Sequence, residues 1–171
     1  MKSYPSKAHL YRVEGGELAI SGKALLELMT AVLDKGYDFR FRARGSSMAP
    51  FIHDGDIICV SPIQIKAPGM GEIVAYHQTP LDKLVVHRLI GRHVACYLMQ
   101  GDNTSHGACE WVAEPDLLGR VTHIERNGKA VWMGLGLERY LIALSLRIGT
   151  ILPLAVRIVQ VTKGWLQRAS R

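Results

Sequence analysis

The first clear hydrophobic pattern covers residues 21–35, where apolar side chains recur at every third or fourth position. Ser21 is a favourable N-cap for a helix, and Gly36 is a residue type that commonly ends one. Charged residues occupy the opposite side, and the segment is shorter than the ~20 apolar residues that a bilayer crossing needs. The pattern therefore predicts an amphipathic helix that packs on a domain or lies at an interface.

From residue 37 the hydrophobic period changes from helical to two, which is typical of a β-strand. Short runs rich in β-branched and apolar residues then follow, separated by prolines and glycines, and Asn127-Gly128 is a strong hairpin signal. This density of strands and turns predicts a mainly β domain over residues 37–133. One face of the first strand is apolar and the other mostly basic: Tyr37, Phe39, Phe41 and Ala43 against Asp38, Arg40, Arg42 and Arg44. The later strands are predicted at residues 57–60, 71–76, 84–90, 95–100, 119–125 and 129–133.

Residues 134–171 differ in composition from the β-rich part, being rich in leucine, isoleucine and valine and ending in cations and a tryptophan. Arginines and Pro153 interrupt the apolar run, so a transmembrane span is not expected. We predict an amphipathic helical tail that lies on a membrane surface. The alternative is a helical hairpin, broken at Pro153, that packs on the β domain or on a second subunit. The expected organisation is an N-terminal segment 1–36, a β-rich domain 37–133 and this tail.

Charge and cysteine content narrow the class of protein. The 171-residue chain carries a formal charge of +6, which suggests a nucleic acid or an anionic membrane as a neighbour. Cys59, Cys96 and Cys109 are odd in number and form no Cys-x-x-Cys pair, so neither a disulfide framework nor a zinc site is predicted. No metal or other cofactor is expected. We see no cleavable signal peptide and expect a peripheral membrane or cytoplasmic location.

Candidate chemistry begins with a serine turn, residues 45–50 (Gly-Ser-Ser-Met-Ala-Pro), which follows the first strand. A serine becomes a useful nucleophile only when a neighbouring base takes its proton. His87, in a strongly β-prone run, is the candidate base, and Asp102, in a Gly-Asp-Asn turn, is the candidate group to orient it. Taken singly, each has a structural explanation: a turn hydroxyl, a core histidine and a turn carboxylate. Their joint presence in one β domain favours a catalytic site.

These blocks, in this order, resemble the type I signal peptidases, in particular the branch that uses histidine as the base. The matching blocks are Ser47-Met48-x-Pro50 with Gly55-Asp56, Val86-His87-Arg88-Leu89-Ile90, Gly101-Asp102-Asn103 and residues 114–121. The resemblance implies a compact β-barrel-like serine endopeptidase that cuts an extended peptide or preprotein after small residues. It also implies roles for individual residues: Ser47 as nucleophile, His87 as general base, Asp102 as its orienting partner, and Gly45, Ser46, Met48 and Pro50 in the oxyanion or substrate site.

The sequence departs from that family at three points. Gly45 stands where many members have a serine that helps to form the oxyanion hole, and no membrane-spanning helix precedes the first strand. A second acidic residue of the site has two candidates, Glu110 and Asp116.

Two other functions are compatible with the residues. One is a self-cleaving regulatory protein of the LexA type, whose fold is related. Such proteins use lysine as the base and carry a DNA-binding head, for which the ~36 residues before the β domain are too few, so we expect no nucleic acid partner. The other is a catalytically silent peptide-binding module of the same fold. The oligomeric state is left open by the sequence.

Overall fold

A computed structural model of the chain describes residues 22–63, 67–105 and 107–149. The predicted helix and most predicted strands are present within one or a few residues of their expected ends. Single turns of 3₁₀ helix cover residues 79–81 and 114–116. The main elements are α1 (Gly22–Asp34), β1 (Phe39–Arg42), β2 (Ile57–Pro62), β3 (Ile73–Gln78), β4 (Lys83–His93), β5 (Cys96–Gln100), β6 (Cys109–Ala113), β7 (Leu117–Arg126), β8 (Lys129–Ala130) and α2 (Glu138–Ile148).

The eight strands form one antiparallel sheet, which confirms the mainly β fold. The strand order is β1-β2-β7-β3-β4-β5-β6, and β8 pairs with the far end of β7. The sheet curls into a half-barrel, because right-handed twist accumulates from strand to strand and register shifts between Cys59 and Val60 and between Leu89 and Gly91 add local bends. The curl brings side chains from β3, β4 and β6 to one place.

The main core lies between α1 and one face of the sheet. Met29 and Leu33 of α1 are buried there against side chains that include Val60 and Ile124. Gly119 of β7 permits this close packing, because a Cβ built on it would lie 2.5 Å from Val60 Cγ1 and 3.2 Å from Leu33 Cδ1. The amphipathic pattern of α1 therefore serves packing on the β domain.

The hairpin predicted at Asn127-Gly128 is present. Both residues have positive φ, 51° and 76°, as a two-residue turn of this type requires, and Arg126 pairs with Lys129 across it. The strand after it is shorter than expected and ends at Ala130. Tyr37, expected on the apolar face of the first strand, is instead 67% exposed and precedes β1, since the ladder with β2 begins only at Phe39.

The segment that begins the predicted tail contains α2, which packs on the β domain. Its side chains Ile142, Ala143 and Leu146 are buried with Phe51 and Ile90 in a separate small core. Pro153 and the cationic end of the predicted tail lie outside the described residues, as does the N-terminal segment before Gly22. Within the described ranges, no helix is both long and apolar enough to cross a membrane.

Candidate active site

The loop between β1 and β2 presents Ser47 to solvent while its neighbour fixes the loop in the core. Met48 is 5% exposed and belongs to the main core, and its carbonyl accepts hydrogen bonds from the N–H groups of Phe51 and Ile52 at 3.0 Å. Ser46 and Ser47 are exposed. The exposed hydroxyl of Ser47 therefore sits on a rigid support, as a nucleophile requires.

The Gly-Asp-Asn turn after β5 holds the serine loop from the other side. The N–H of Asn103 donates to the carbonyl of Ser47 at 2.7 Å, and the side-chain amide of Asn103 donates to the carbonyl of Ser46 at 3.1 Å. Two blocks that are more than fifty residues apart in the sequence are thus joined directly.

His87 on β4 reaches the same turn. A Cβ built on Gly101 would lie 2.7 Å from the carbonyl oxygen of Ser47 and 3.1 Å from Nε2 of His87. Only a glycine leaves room for both groups. No hydrogen bond joins the Ser47 hydroxyl to His87 among the described residues, and catalytic contacts of this kind commonly tighten only when substrate binds.

Asp102 does not orient His87 in this structure. Its Oδ1 and Oδ2 accept hydrogen bonds from Nε and Nη2 of Arg88, both at 2.7 Å, and both side chains are almost completely buried. Successive residues of a strand point to opposite faces, so Arg88 and His87 lie on opposite sides of the sheet. Asp102 is therefore committed to the face away from the imidazole.

Tyr76 and Glu110 occupy the position beside His87 that Asp102 was predicted to fill. The hydroxyl of Tyr76 lies 3.1 Å from Nδ1 of His87 and also donates a hydrogen bond to Oε1 of Glu110. Oε1 of Glu110 lies 3.9 Å from the same Nδ1. Gln78 donates to the other carboxylate oxygen of Glu110 at 2.6 Å.

Of the two candidates for a second acidic residue, Glu110 faces the histidine. Asp116 accepts a hydrogen bond from Thr79 at the sheet surface instead. Sequence reasoning missed Tyr76 altogether, because a tyrosine in the apolar strand Ile73–Gln78 is typical of a core residue. The only sequence signal for its role is the phenol hydroxyl, which requires a hydrogen-bond partner when the tyrosine is buried.

Burial dominates the electrostatics of the site. It lowers the pKa of His87 below 6.5, although Glu110 opposes the shift, so the imidazole is neutral near pH 7. Burial, together with the hydrogen bond to Glu110, raises the pKa of Tyr76 well above its ordinary value, so the phenol keeps its proton. Burial also raises the pKa of the Asp102 carboxyl, and Arg88 opposes this.

The backbone around Ser47 offers donors for an oxyanion. Among the described residues, the N–H groups of Ser46, Ser47 and Met48 have no acceptor. The N–H of Gly45 is already used, since it donates to Asp54 at 2.8 Å, and Pro50 has no N–H to donate. The available donors are therefore those on the serine itself and its two neighbours.

Comparison with known families identifies the chain. The family model described as Peptidase S24-like matches residues 10–122, which is more than half of the sequence. The chain therefore belongs to the Peptidase S24-like family, which comprises serine peptidases and related proteins of the LexA type. No curated protein matches the chain significantly.

The buried pair of Arg88 and Asp102 generates the first prediction. Asp102→Asn leaves a buried guanidinium without its counter-charge, so we expect the free energy of unfolding in urea to fall by about 3–5 kcal/mol. The control is Glu125→Gln, which breaks the partly exposed pair with Arg40 and is expected to cost under ~1 kcal/mol. Wild-type stability in Asp102→Asn would contradict the structural role of this carboxylate.

Proposed function

We propose that this member of the Peptidase S24-like family is a serine endopeptidase, similar to signal peptidase I, that cuts leader or signal segments after small residues. The observation that carries the proposal is that the backbone carbonyl of Ser47 and Nε2 of His87 both lie close to Gly101, which brings the serine loop and the imidazole together. An exposed serine hydroxyl, a neutral buried imidazole and unused backbone N–H groups are the parts that acyl transfer requires.

In this mechanism His87 accepts the proton of the Ser47 hydroxyl at Nε2 as the serine oxygen attacks the scissile carbonyl. The N–H groups of Ser47 and Met48 donate to the oxyanion that develops, with the Ser46 hydroxyl as a further donor in place of the side chain that Gly45 lacks. The imidazolium then gives its proton to the leaving amine. Water, activated by the same imidazole, hydrolyses the acyl-enzyme and frees Ser47.

An extended substrate fits the edge of the sheet that leads into the serine loop. β1 is the terminal strand of the sheet, paired only with β2 among the described strands, and its chain continues directly to Ser47. A peptide that adds beside this edge obtains main-chain hydrogen bonds, while side-chain pockets provide selectivity. Leader or signal segments, which are extended around the cleavage point, match this mode of binding.

Self-cleavage of the LexA type is the second candidate, and the family match supports it because the family includes proteins of that type. Self-cleavage differs from endopeptidase activity in its kinetics, because the rate of cutting within the same chain does not depend on protein concentration. If the protein is instead a catalytically silent peptide-binding module, it should bind the same peptides without cleaving them. Cleavage of an added peptide by the intact chain supports the endopeptidase against both alternatives.

Substitution of the nucleophile or base tests the proposed chemistry. We expect Ser47→Ala and His87→Gln each to lower the kcat/KM for a peptide library by ~10³-fold or more, with cleavage followed by mass spectrometry. Ser46→Ala, which removes the neighbouring exposed hydroxyl that we propose as an oxyanion donor, should have a smaller effect of ~10²-fold, the lower end of the cost of losing one such donor. Full activity in folded Ser47→Ala would exclude the mechanism.

The lowered pKa of His87 predicts the acid limit of activity. A base must be neutral, and burial makes protonation of this imidazole harder than in an unfolded chain. As pH falls, we therefore expect the kcat/KM to be half-maximal at a value below 6.5. An acid limb centred clearly above 6.5 in the pH profile would contradict the assignment of His87 as base.

We further propose that the protein associates peripherally with anionic membranes through α2 and the residues that follow it. Leu141, Leu144 and Ile148 share one side of α2, Leu137 just precedes the helix, and all four are between 50% and 83% exposed. Arg139 lies on the buried side, with its Nη1 3.9 Å from Oε1 of Glu72, and Arg147 donates from Nη1 to the carbonyl of Ile90 at 3.3 Å. The chain beyond α2 adds apolar and cationic residues to the sequence. An exposed apolar helix face that is followed by an apolar and cationic segment supports binding in the headgroup region of an anionic membrane.

Vesicle binding tests this proposal with the full chain. We expect co-sedimentation with vesicles that contain phosphatidylserine, weaker binding to phosphatidylcholine, and at least ~10-fold weaker binding for Leu141→Glu combined with Leu144→Glu, since each leucine contributes ~1.5–3 kcal/mol when buried. Leu28→Glu, at an exposed leucine of α1, is the control and should bind as wild type. Equal binding by all three proteins would refute a role for α2.

A further inference from the structure

The Nδ1 side of His87 decides whether this residue can act as a base at all. A neutral imidazole carries one proton, and Nε2 can accept the serine proton only if that proton resides on Nδ1. Serine peptidases commonly secure this tautomer with a carboxylate that accepts from Nδ1–H. Here Asp102 is occupied by Arg88, so another acceptor is required.

The hydrogen bonds of Tyr76 show that its hydroxyl oxygen is the acceptor available to Nδ1 of His87. The phenol has one proton, which it donates to Oε1 of Glu110. Its oxygen then faces Nδ1 of His87, 3.1 Å away, with lone pairs only. The contact is therefore a hydrogen bond only when Nδ1 carries the proton and donates to Tyr76.

Glu110 is fixed in the orientation that this chain of hydrogen bonds needs. Gln78 donates to its Oε2 at 2.6 Å, which leaves Oε1 for the tyrosine hydroxyl. At 3.9 Å, Oε1 of Glu110 is too far from Nδ1 for a hydrogen bond of its own, although it is close enough for its charge to act on the ring. Tyr76, which is fully buried, therefore fills the gap between the carboxylate and the imidazole.

We propose that Tyr76 is a positioning residue that connects Glu110 to His87 and holds the imidazole in the tautomer with the proton on Nδ1 and a free Nε2. The arrangement of the hydrogen bonds stands independently of the reaction, whereas its catalytic consequence rests on the proposed function. During acyl transfer, Tyr76 keeps its own proton and the charge of Glu110 stabilises the imidazolium.

The sheet explains why a relay is used in place of a direct carboxylate. Glu110 projects from β6, two strands away from β4, and the intervening β5 keeps its backbone at a distance from His87. Tyr76 projects from β3, on the other side of β4, over the same face of the curled sheet. The long side chains of Tyr76 and Glu110 therefore approach His87 from opposite sides of β4.

The tautomer of His87 tests the proposal through the ¹⁵N chemical shifts of the ring nitrogens. We expect wild type to show a protonated Nδ1 and an unprotonated Nε2 above the pKa of His87. Tyr76→Phe, which keeps the ring and removes the hydroxyl, should lose this preference and show a mixture of tautomers. Unchanged ring-nitrogen shifts in folded Tyr76→Phe would overturn the relay.

Tyr97→Phe is a matched control for the loss of a buried hydroxyl. Tyr97 is equally buried, lies in the same core cluster as Tyr76, and its hydroxyl has no partner among the described residues. The His87 shifts should be unchanged in this variant. If Tyr97→Phe alters them as much as Tyr76→Phe does, the effect is one of packing and the relay is refuted.

Glu110→Gln separates the charge from the hydrogen bond. Its amide oxygen can still accept from Tyr76, so the tautomer should persist, while loss of the charge lowers the pKa of His87 further. In a peptide cleavage assay we expect Tyr76→Phe to lower kcat by ~10–10²-fold with little change in KM. A wild-type protein with the expected tautomer but no peptidase activity would refute the proposed function and leave the relay standing.

Discussion

The buried ion pair of Arg88 and Asp102 is the interaction on which the remainder of the site depends. Besides its two bonds to Asp102, the guanidinium donates from Nη1 to the carbonyls of Gly71 and Gly134, at 2.7 and 2.9 Å. Removing two charges from water costs several kcal/mol for each, and the four hydrogen bonds that the guanidinium donates help to offset that cost. One side chain therefore ties β4 to the turn that holds Ser47, to the start of β3 and to the segment before α2.

The same pair fixes the register of β4 and, with it, the direction of His87. A shift of one residue along a strand exchanges the two faces, which would bury the imidazole where the guanidinium now lies. At position 88 the guanidinium reaches its carboxylate and its two carbonyl acceptors. A structural ion pair on one face of the strand thus secures the proposed catalytic base on the other.

The sequence predicted the parts of this site that depend on local pattern. Alternation identified the first strand, β-branched and apolar runs between turn residues identified most of the others, and the blocks around Ser47, His87 and Asp102 are short and contiguous. Strand β6 was not predicted, because Cys109–Ala113 lacks regular alternation of apolar and polar residues. Glu110 was one of two candidates for the second acidic residue, but the pairing of Asp102 with Arg88 and the place of Tyr76 beside His87 could not be predicted. Both depend on which side chains a curled sheet brings together: Tyr76 and Glu110 are thirty-four residues apart and on strands separated by two others.

The neutral hydroxyl of Tyr76 between the Glu110 carboxylate and the His87 imidazole affects the charge of the imidazole. A carboxylate bonded directly to His87 raises the pKa of the imidazole strongly, whereas one held at 3.9 Å raises it less than burial lowers it. The imidazole proposed as the base therefore stays neutral near pH 7, and the proposed relay sets its tautomer by a hydrogen bond that carries no net charge. The charge of Glu110 matters most once the imidazole is protonated, which is where stabilisation of a transition state is useful.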